Sequence, residues 1–248
     1  MLHDANVDPA EIDKFQSIAS RWWDRESEFK SLHDINPLRV RYIERQAREL
    51  VEGMADGLAE GLADKRVVDI GCGGGILAEA LAEQGAQVTG IDMAELSLKV
   101  ARLHLHESEL EVDYQLTTAE AFAEQHAAQF DIVTCLEMLE HVPDPAAIIA
   151  AAAKLLKPGG CLVLSTLNRN PKSFALAILG AEYVLGLIPR GTHQYRRFIK
   201  PSEMATQLRA NGLAVRDISG MSYNPLTRSY SLGRDIDVNY LVTATFDA

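Results

Sequence analysis

The sequence has few cysteines, no basic run and no metal-like cysteine spacing. Its 248 residues include three cysteines, none of them in a CxxC pair. This content excludes a disulfide framework or a cysteine zinc site and favours reduced thiols in a cytoplasmic protein. The formal net charge is −11, from 24 Lys and Arg against 35 Asp and Glu. The composition therefore disfavours nucleic acid as a partner, because phosphate is repelled by an acidic surface.

Targeting and membrane-spanning segments are also missing from the pattern. The first residues, MLHDANVDPAEIDKF, are acidic and lack the basic-then-apolar order of a secretory signal. No apolar run reaches the ~18–20 residues that span a bilayer. We therefore expect a cytoplasmic protein, with a peripheral contact on the inner face of the membrane left open.

The apolar content is arranged as a doubly wound α/β domain. Residues 66–168 alternate short strand-like runs with amphipathic helical segments, the pattern of βαβ units in a parallel sheet. We predict one domain with a seven-stranded, mostly parallel sheet and a cofactor-binding core in this range. Residues 1–62 would form an N-terminal helical cap. Residues 172–200 would be an apolar and basic helical insertion after the fifth strand, and 201–248 a C-terminal helix and strands.

Two helices are expected in the N-terminal cap. Asp8 and Glu11 have the spacing of a capping box around Pro9, which predicts a helix from there to about Trp23. A second helix is expected over about 37–62, beginning at a proline.

A glycine-rich loop follows the first strand in VVDIGCGGGIL. Gly71 and Gly73 stand between a strand and a helix, where backbone amides can approach a ligand closely. The nicotinamide fingerprint GxGxxG would need glycine at position 76, which is Ile76 here. A nicotinamide oxidoreductase is therefore disfavoured.

Two carboxylates accompany this loop. Asp69 precedes Gly71 by two residues, and its charge would repel a pyrophosphate but suit the sulfonium and ammonium groups of S-adenosylmethionine. Asp92 ends the next strand, where an acidic side chain can accept hydrogen bonds from ribose hydroxyls. The alternative role for Asp92 is an ordinary helix cap.

These motifs resemble those of the class I S-adenosylmethionine-dependent methyltransferases. Among them, the chain is most similar to the bacterial O-methyltransferases of ubiquinone biosynthesis, through ASRWWD, EFKSLHDINPLR, DIGCGGGILAE, VTCLEMLEHVPDP, STLNRN, GTHQYRRFIKP and DVNY. The resemblance implies that Arg39, Gly71, Asp92 and Leu136 contact S-adenosylmethionine, with Leu136 standing where the family pattern has methionine. It also implies methylation of 2-polyprenyl-6-hydroxyphenol and 3-demethylubiquinol.

Three ionisable residues follow the fourth strand in CLEMLEHVPDP. Glu137, Glu140 and His141 have i, i+3, i+4 spacing, which places them on one face if the segment is helical. A phenolic hydroxyl has a pKa near ~10, so methyl transfer to it needs a general base or a divalent metal. Related eukaryotic enzymes are similar in using a metal, so these three residues are predicted to bind Mg, Mn or Zn and to act in catalysis. The alternative is that they only cap and orient a loop, with His193 as a reserve base.

The insertion and the aromatic pair Trp22 and Trp23 each have two interpretations. The apolar stretch in 172–200, flanked by Arg196, Arg197 and other basic residues, predicts contact with an anionic membrane surface, a lid over the site, or both. The tryptophans would cover the cofactor or simply pack in the core.

Partners and competing functions follow from these motifs. Expected partners are a polyprenylated phenolic substrate and other ubiquinone-synthesis enzymes. The competing functions are a methyltransferase for another small acceptor and a non-catalytic cofactor-binding scaffold.

Overall fold

The structure, a computed structural model, describes residues 6–50, 62–174 and 194–247, and its framework is a single sheet. The strands are β1 (Arg66–Ile70), β2 (Gln87–Asp92), β3 (Val112–Leu116), β4 (Phe130–Leu136), β5 (Leu156–Leu167), β6 (Leu213–Asn224), β7 (Ser229–Gly233) and β8 (Asn239–Phe246). Their order in space is β3-β2-β1-β4-β5-β8-β6-β7. The first five are parallel, and the last three join antiparallel. The α/β prediction is confirmed, with eight strands instead of seven because β7 pairs with β6.

Helices lie on both faces of this sheet. They are α1 (Pro9–Ser17), α2 (Lys30–Leu50), α3 (Ile76–Glu83), α4 (Glu95–Ser108), α5 (Ala119–Gln125), α6 (Pro145–Leu155), α7 (Pro171–Ser173) and α8 (Pro201–Ala210). Short 3-10 turns occupy Ala19–Arg21, Leu139–His141 and Tyr195–Arg197. Within the described ranges, none of these helices has the length and apolar content needed to cross a membrane.

Two apolar cores cover the central strands. One cluster contains Phe122, Ile149 and Leu208, from α5, α6 and α8. The other contains Ile43 and Leu81, from α2 and α3. Because both faces are covered, strands such as β4 are buried almost throughout, which explains their continuous apolar sequence. The carboxyl ends of β1, β2 and β4 are left to form a crevice.

The N-terminal helices differ from the sequence prediction. The first ends at Ser17 instead of about Trp23, and a 3-10 turn follows. The second begins at Lys30 and contains Pro37 in its interior, where a proline removes one backbone hydrogen bond. The helix is tied to α3 at this point, where the neighbouring Asn36 donates its side-chain amide to the carbonyl of Ile76 at 2.9 Å.

Trp22 packs directly on the glycine loop. A Cβ added to Gly74 would stand 2.3 Å from Cγ of Trp22, and one added to Gly73 would stand 2.5 Å from its Cη2. The indole is 7% exposed, stacks on Phe29 at 3.8 Å between ring centroids, and donates its Nε1 hydrogen to Ser97 Oγ. These glycines are therefore required by the packing of an N-terminal side chain, in addition to any ligand.

Substitution Gly74→Ala tests this packing. We expect the free energy of unfolding to fall by about 1–3 kcal/mol, because the new methyl group overlaps the Trp22 side chain in a packed contact. Urea denaturation followed by tryptophan fluorescence measures the change. The control is Gly233→Ala, where no described atom lies within 4 Å of the added Cβ and a change within about 0.5 kcal/mol is expected. Equal effects at both positions would contradict the contact.

Candidate active site

One pocket opens at the carboxyl ends of β1, β2 and β4, and the N-terminal segment closes it. Such a crevice is where open α/β sheets bind ligands. Its walls combine sheet loops with α1 and α2, which are distant in sequence. The lining includes Asp8, Glu11, Phe15, Trp22, Arg39, Asp69, Gly71, Gly73, Asp92, Leu136, Glu137, Met138 and His141. The predicted cofactor residues and two of the predicted catalytic residues therefore lie together.

Asp92 ties the end of β2 to the glycine loop. Its carboxylate accepts the backbone N–H of Gly73 at 2.8 Å and that of Ala94 at 2.7 Å. Burial nevertheless raises the pKa of Asp92 above its ordinary value, although these hydrogen bonds oppose the shift. Carboxylate oxygens carry about four lone-pair sites in total, so the side chain keeps capacity for ribose hydroxyls.

Arg39 brings a buried positive charge to the pocket. The residue is 5% exposed, and its Nε and Nη2 have no hydrogen-bond partner among the described residues. Glu137 Oε1 lies 3.6 Å from Nη2, at ion-pair distance. Buried guanidinium donors are costly when unpaired, so this site fits a ligand with a carboxylate, such as the methionyl end of S-adenosylmethionine.

Asp69 is buried at the end of β1, next to the loop. Its Oδ1 accepts the hydroxyl hydrogen of Thr134 at 2.7 Å. Burial raises the pKa of Asp69 to about 7, against the opposing effects of Thr134 and Arg39. Near neutral pH the carboxyl is thus only partly ionised in the free pocket. Its charge therefore opposes a pyrophosphate less strongly than expected of a fully ionised Asp69.

Glu137, Glu140 and His141 do not share one helical face, so this expectation is wrong. Glu137 has φ of +55° and turns the chain sharply after β4, and only Leu139–His141 form a 3-10 turn. Glu137 Oε1 accepts hydrogen bonds from Ser165 Oγ at 2.7 Å and from Asn239 Nδ2 at 3.0 Å.

Glu140 points into the protein, in a different direction. It is 4% exposed and accepts the hydroxyl hydrogen of Thr166 at 2.8 Å, while its Oε1 has no partner among the described residues. Burial, together with the charge of Glu137, raises the pKa of Glu140 to about 7.

His141 faces the pocket and is held by the N-terminal helix. Its Nδ1 lies 2.9 Å from Oε2 of Glu11, and its ring meets the ring of Phe15 edge-on. Glu11 was expected to complete the capping box of α1. Asp8 does cap that helix through the N–H of Ala10, but Glu11 reaches His141 instead.

This arrangement does not support the predicted metal site. Glu137 accepts hydrogen bonds from Ser165 and Asn239, Glu140 is buried against Thr166, and His141 is bound through Nδ1 to Glu11. In the ranges 6–50, 62–174 and 194–247, no group of three His, Cys, Asp or Glu side chains is placed to hold a metal ion.

Of the other predicted positions, some line the pocket and the rest lie outside the described residues. Leu136 ends β4 and lines the pocket, as does Gly71, whose φ is +74°. His193 lies outside the described residues, as does most of 172–200. Sequence reasoning missed the role of Glu11, because its partner His141 is 130 positions away and nothing local signals the contact.

Comparison with known proteins identifies the class. A family model described as a methyltransferase domain matches residues 40–218. A magnesium protoporphyrin IX methyltransferase from Synechocystis, solved with bound S-adenosylhomocysteine, matches with a TM-score of 0.66 at 22% identity, over 97% of this chain and 100% of that one. A possible histamine N-methyltransferase from Thermotoga maritima matches with a TM-score of 0.59 at 19% identity, over 96% and 99%. The chain thus contains a methyltransferase domain, and its fold is that of class I S-adenosylmethionine-dependent methyltransferases.

Closer relatives define the family. The ubiquinone biosynthesis O-methyltransferase of Stutzerimonas stutzeri is 61% identical, over 96% of this chain and 97% of that protein. Proteins of the same name from Pseudomonas aeruginosa and Thiobacillus denitrificans are 59% and 56% identical, each over 98% of this chain and 100% of the relative. The chain belongs to the ubiquinone biosynthesis O-methyltransferase family.

Substitution Arg39→Lys tests the carboxylate subsite. We expect S-adenosylmethionine to bind about 10- to 100-fold more weakly, because an ammonium group cannot reproduce the planar guanidinium donors. Isothermal titration calorimetry measures the dissociation constant. Arg41→Lys, at an exposed position of the same helix, is the matched control and should bind as the wild type does. Unchanged affinity in Arg39→Lys would remove this residue from the cofactor site.

The raised pKa of Asp69 predicts a pH dependence of cofactor binding. A cationic ligand favours the ionised carboxyl, so affinity should rise about eightfold from about pH 6 to about pH 7.5, as the proton leaves. The measurement stops at about pH 7.5 because the α-amino group of the ligand loses its own proton near pH ~8. Asp69→Asn should bind more weakly at pH 7.5 and lose this component of the dependence. Asp113→Asn, at an exposed position on β3, should keep it. A wild-type profile that persists unchanged in Asp69→Asn would contradict the assignment.

Proposed function

We propose that the chain methylates a hydroxyl of polyprenylated catechol and hydroquinone intermediates of ubiquinone biosynthesis, namely 2-polyprenyl-6-hydroxyphenol and 3-demethylubiquinol. The observation that carries this proposal is that one pocket contains both a predicted cofactor site and a base. Arg39 and Asp92 lie in the part that would bind the cofactor, called here the cofactor half, and the imidazole of His141 lies on another wall. The names of the close relatives support the acceptor class.

The cofactor half would hold and orient the methyl donor. When bound, S-adenosylmethionine supplies a methyl group on a sulfonium, which an oxygen nucleophile can displace. Arg39 would bind the methionyl carboxylate and Asp92 the ribose hydroxyls, which fixes the direction of the methyl group. Alignment of the acceptor oxygen with the carbon–sulfur bond is the main requirement of an in-line displacement.

His141 would remove the proton from the acceptor hydroxyl. A free phenol has a pKa near ~10, so little phenolate exists at neutral pH without a base. The imidazole lines the pocket, and its Nδ1 is already engaged by a carboxylate. That leaves Nε2 to receive the proton while the oxygen attacks the methyl carbon.

No step of this proposal passes through a divalent metal. The three predicted ligands have separate protein partners and point in different directions, as described above. The proposal therefore assigns the proton to His141 and leaves Glu137 to hold Arg39 and Asn239.

We further propose that 172–200 meets an anionic membrane surface, where the polyprenyl tail of the acceptor resides. An apolar stretch with basic residues at its end, in a chain of net charge −11, supports this interpretation. Among the described basic residues of this segment, Lys172 and Arg197 form ion pairs with aspartates, whereas Arg196 and Lys200 form none.

The decisive experiment is transfer of labelled methyl from S-adenosylmethionine to a short-chain polyprenyl catechol. His141→Gln should lower kcat by about 10²–10⁴-fold while binding S-adenosylmethionine normally, because it removes the base and spares the cofactor half. His106→Gln, at an exposed position on α4, should retain activity. Chelation of divalent ions should leave the wild-type rate unchanged.

Three results would contradict the proposal. Absence of wild-type turnover on any catechol, with magnesium supplied, would reject the acceptor class. Full activity of His141→Gln would reject this residue as the base. Loss of activity on chelation, with recovery on adding metal, would return catalysis to a metal site.

A further inference from the structure

We infer that Glu11, on the N-terminal helix, is a positioning residue that fixes the orientation and tautomer of His141 for proton removal. This inference rests on the proposed function, since it needs an acceptor hydroxyl opposite the imidazole. It assigns a role to a residue outside the sheet and outside every sequence motif of the cofactor site.

The contact is close and shielded from water. Glu11 Oε2 and His141 Nδ1 are 2.9 Å apart, and the two side chains are 14% and 13% exposed. The ring of Phe15 packs edge-on against the imidazole, with 5.3 Å between centroids. Glu11 and Phe15 are one helical turn apart on α1, so a single helix face provides both contacts.

Independent contacts hold α1 in this position. Asn6 donates its amide to the carbonyl of Asp144 at 2.7 Å and accepts the N–H of Asp144 at 2.8 Å. Arg197 donates to the carboxylate of Asp8 at 2.9 Å. These bonds join the helix to the loop after His141 and to the segment before α8, so the position of Glu11 does not depend on its own contact with His141.

The chemistry of a carboxylate–imidazole pair explains the role. A hydrogen on Nδ1 that is donated to Glu11 leaves Nε2 unprotonated and able to accept the acceptor's proton. The imidazolium formed in that step is stabilised by the adjacent negative charge. The hydrogen bond with His141 also holds the pKa of Glu11 below its ordinary value, with Lys14 contributing, so the carboxylate is ionised at neutral pH.

The test compares Glu11→Gln with Asp13→Asn. Both changes replace a carboxylate by an amide on α1, but Asp13 is exposed and does not line the pocket. Glu11→Gln should lower kcat by about 10- to 100-fold at unchanged KM for S-adenosylmethionine, whereas Asp13→Asn should behave as the wild type does. The double variant Glu11→Gln, His141→Gln should be no slower than His141→Gln alone, because the carboxylate acts through the imidazole.

Two further measurements separate positioning from a purely structural effect. A nitrocatechol acceptor, ionised at the assay pH, needs no base and should be methylated by Glu11→Gln at nearly the wild-type rate. Nitrogen-15 spectra of His141 should show the Nδ1–H tautomer in the wild type and its loss in Glu11→Leu, which has no acceptor for that hydrogen. A wild-type kcat in Glu11→Gln, or an equal loss with both acceptors, would overturn the inference.

Failure of the proposed function would look different. In that case the wild type itself would not methylate catechols, whatever the state of Glu11. The tautomer measured in wild type and Glu11→Leu would then decide alone whether Glu11 controls His141, and an unchanged tautomer would reject that control.

Discussion

The site depends on the contact between the Trp22 indole and the glycine loop after β1. The indole can lie on the backbone there because Gly73 and Gly74 have no Cβ. The contact brings the N-terminal segment to the carboxyl edge of the sheet, and α1 then lies across the crevice. A domain of βαβ units alone would leave this edge open to water. With the N-terminal segment in place, one pocket combines residues of α1 and α2 with residues at the carboxyl ends of the strands.

Charge in this pocket is balanced only in part by the protein. Burial raises the pKa of Asp69 to about 7, while Arg39 retains donors without partners among the described residues. A ligand with a carboxylate and nearby cationic groups would compensate both signs at once. The methionyl part of S-adenosylmethionine has this combination, which accounts for a site whose free form is electrostatically incomplete.

The sequence predicted those parts of the site that depend on short local patterns. Asp69, Gly71 and Asp92 were found because strand ends and the glycine loop repeat a short, regular arrangement, and all three line the pocket. Tertiary contacts override local rules elsewhere. Pro37 lies inside a helix that its neighbours stabilise by packing, and Glu11 leaves a capping box for a histidine 130 positions away.

The local sequence pattern also could not predict that the side chains of Glu137, Glu140 and His141 separate. Their spacing suits one helical face, but the positive φ of Glu137 redirects the chain, and the three side chains bind different residues, Ser165, Thr166 and Glu11. The central claim is that cofactor and base meet in this one pocket. A crystal structure with S-adenosylhomocysteine and a short-chain catechol tests it most directly. The account predicts the ligand carboxylate on Arg39 and a catechol oxygen within hydrogen-bond distance of His141 Nε2. A catechol bound through a metal on Glu137 and Glu140, with His141 also a ligand, would contradict it.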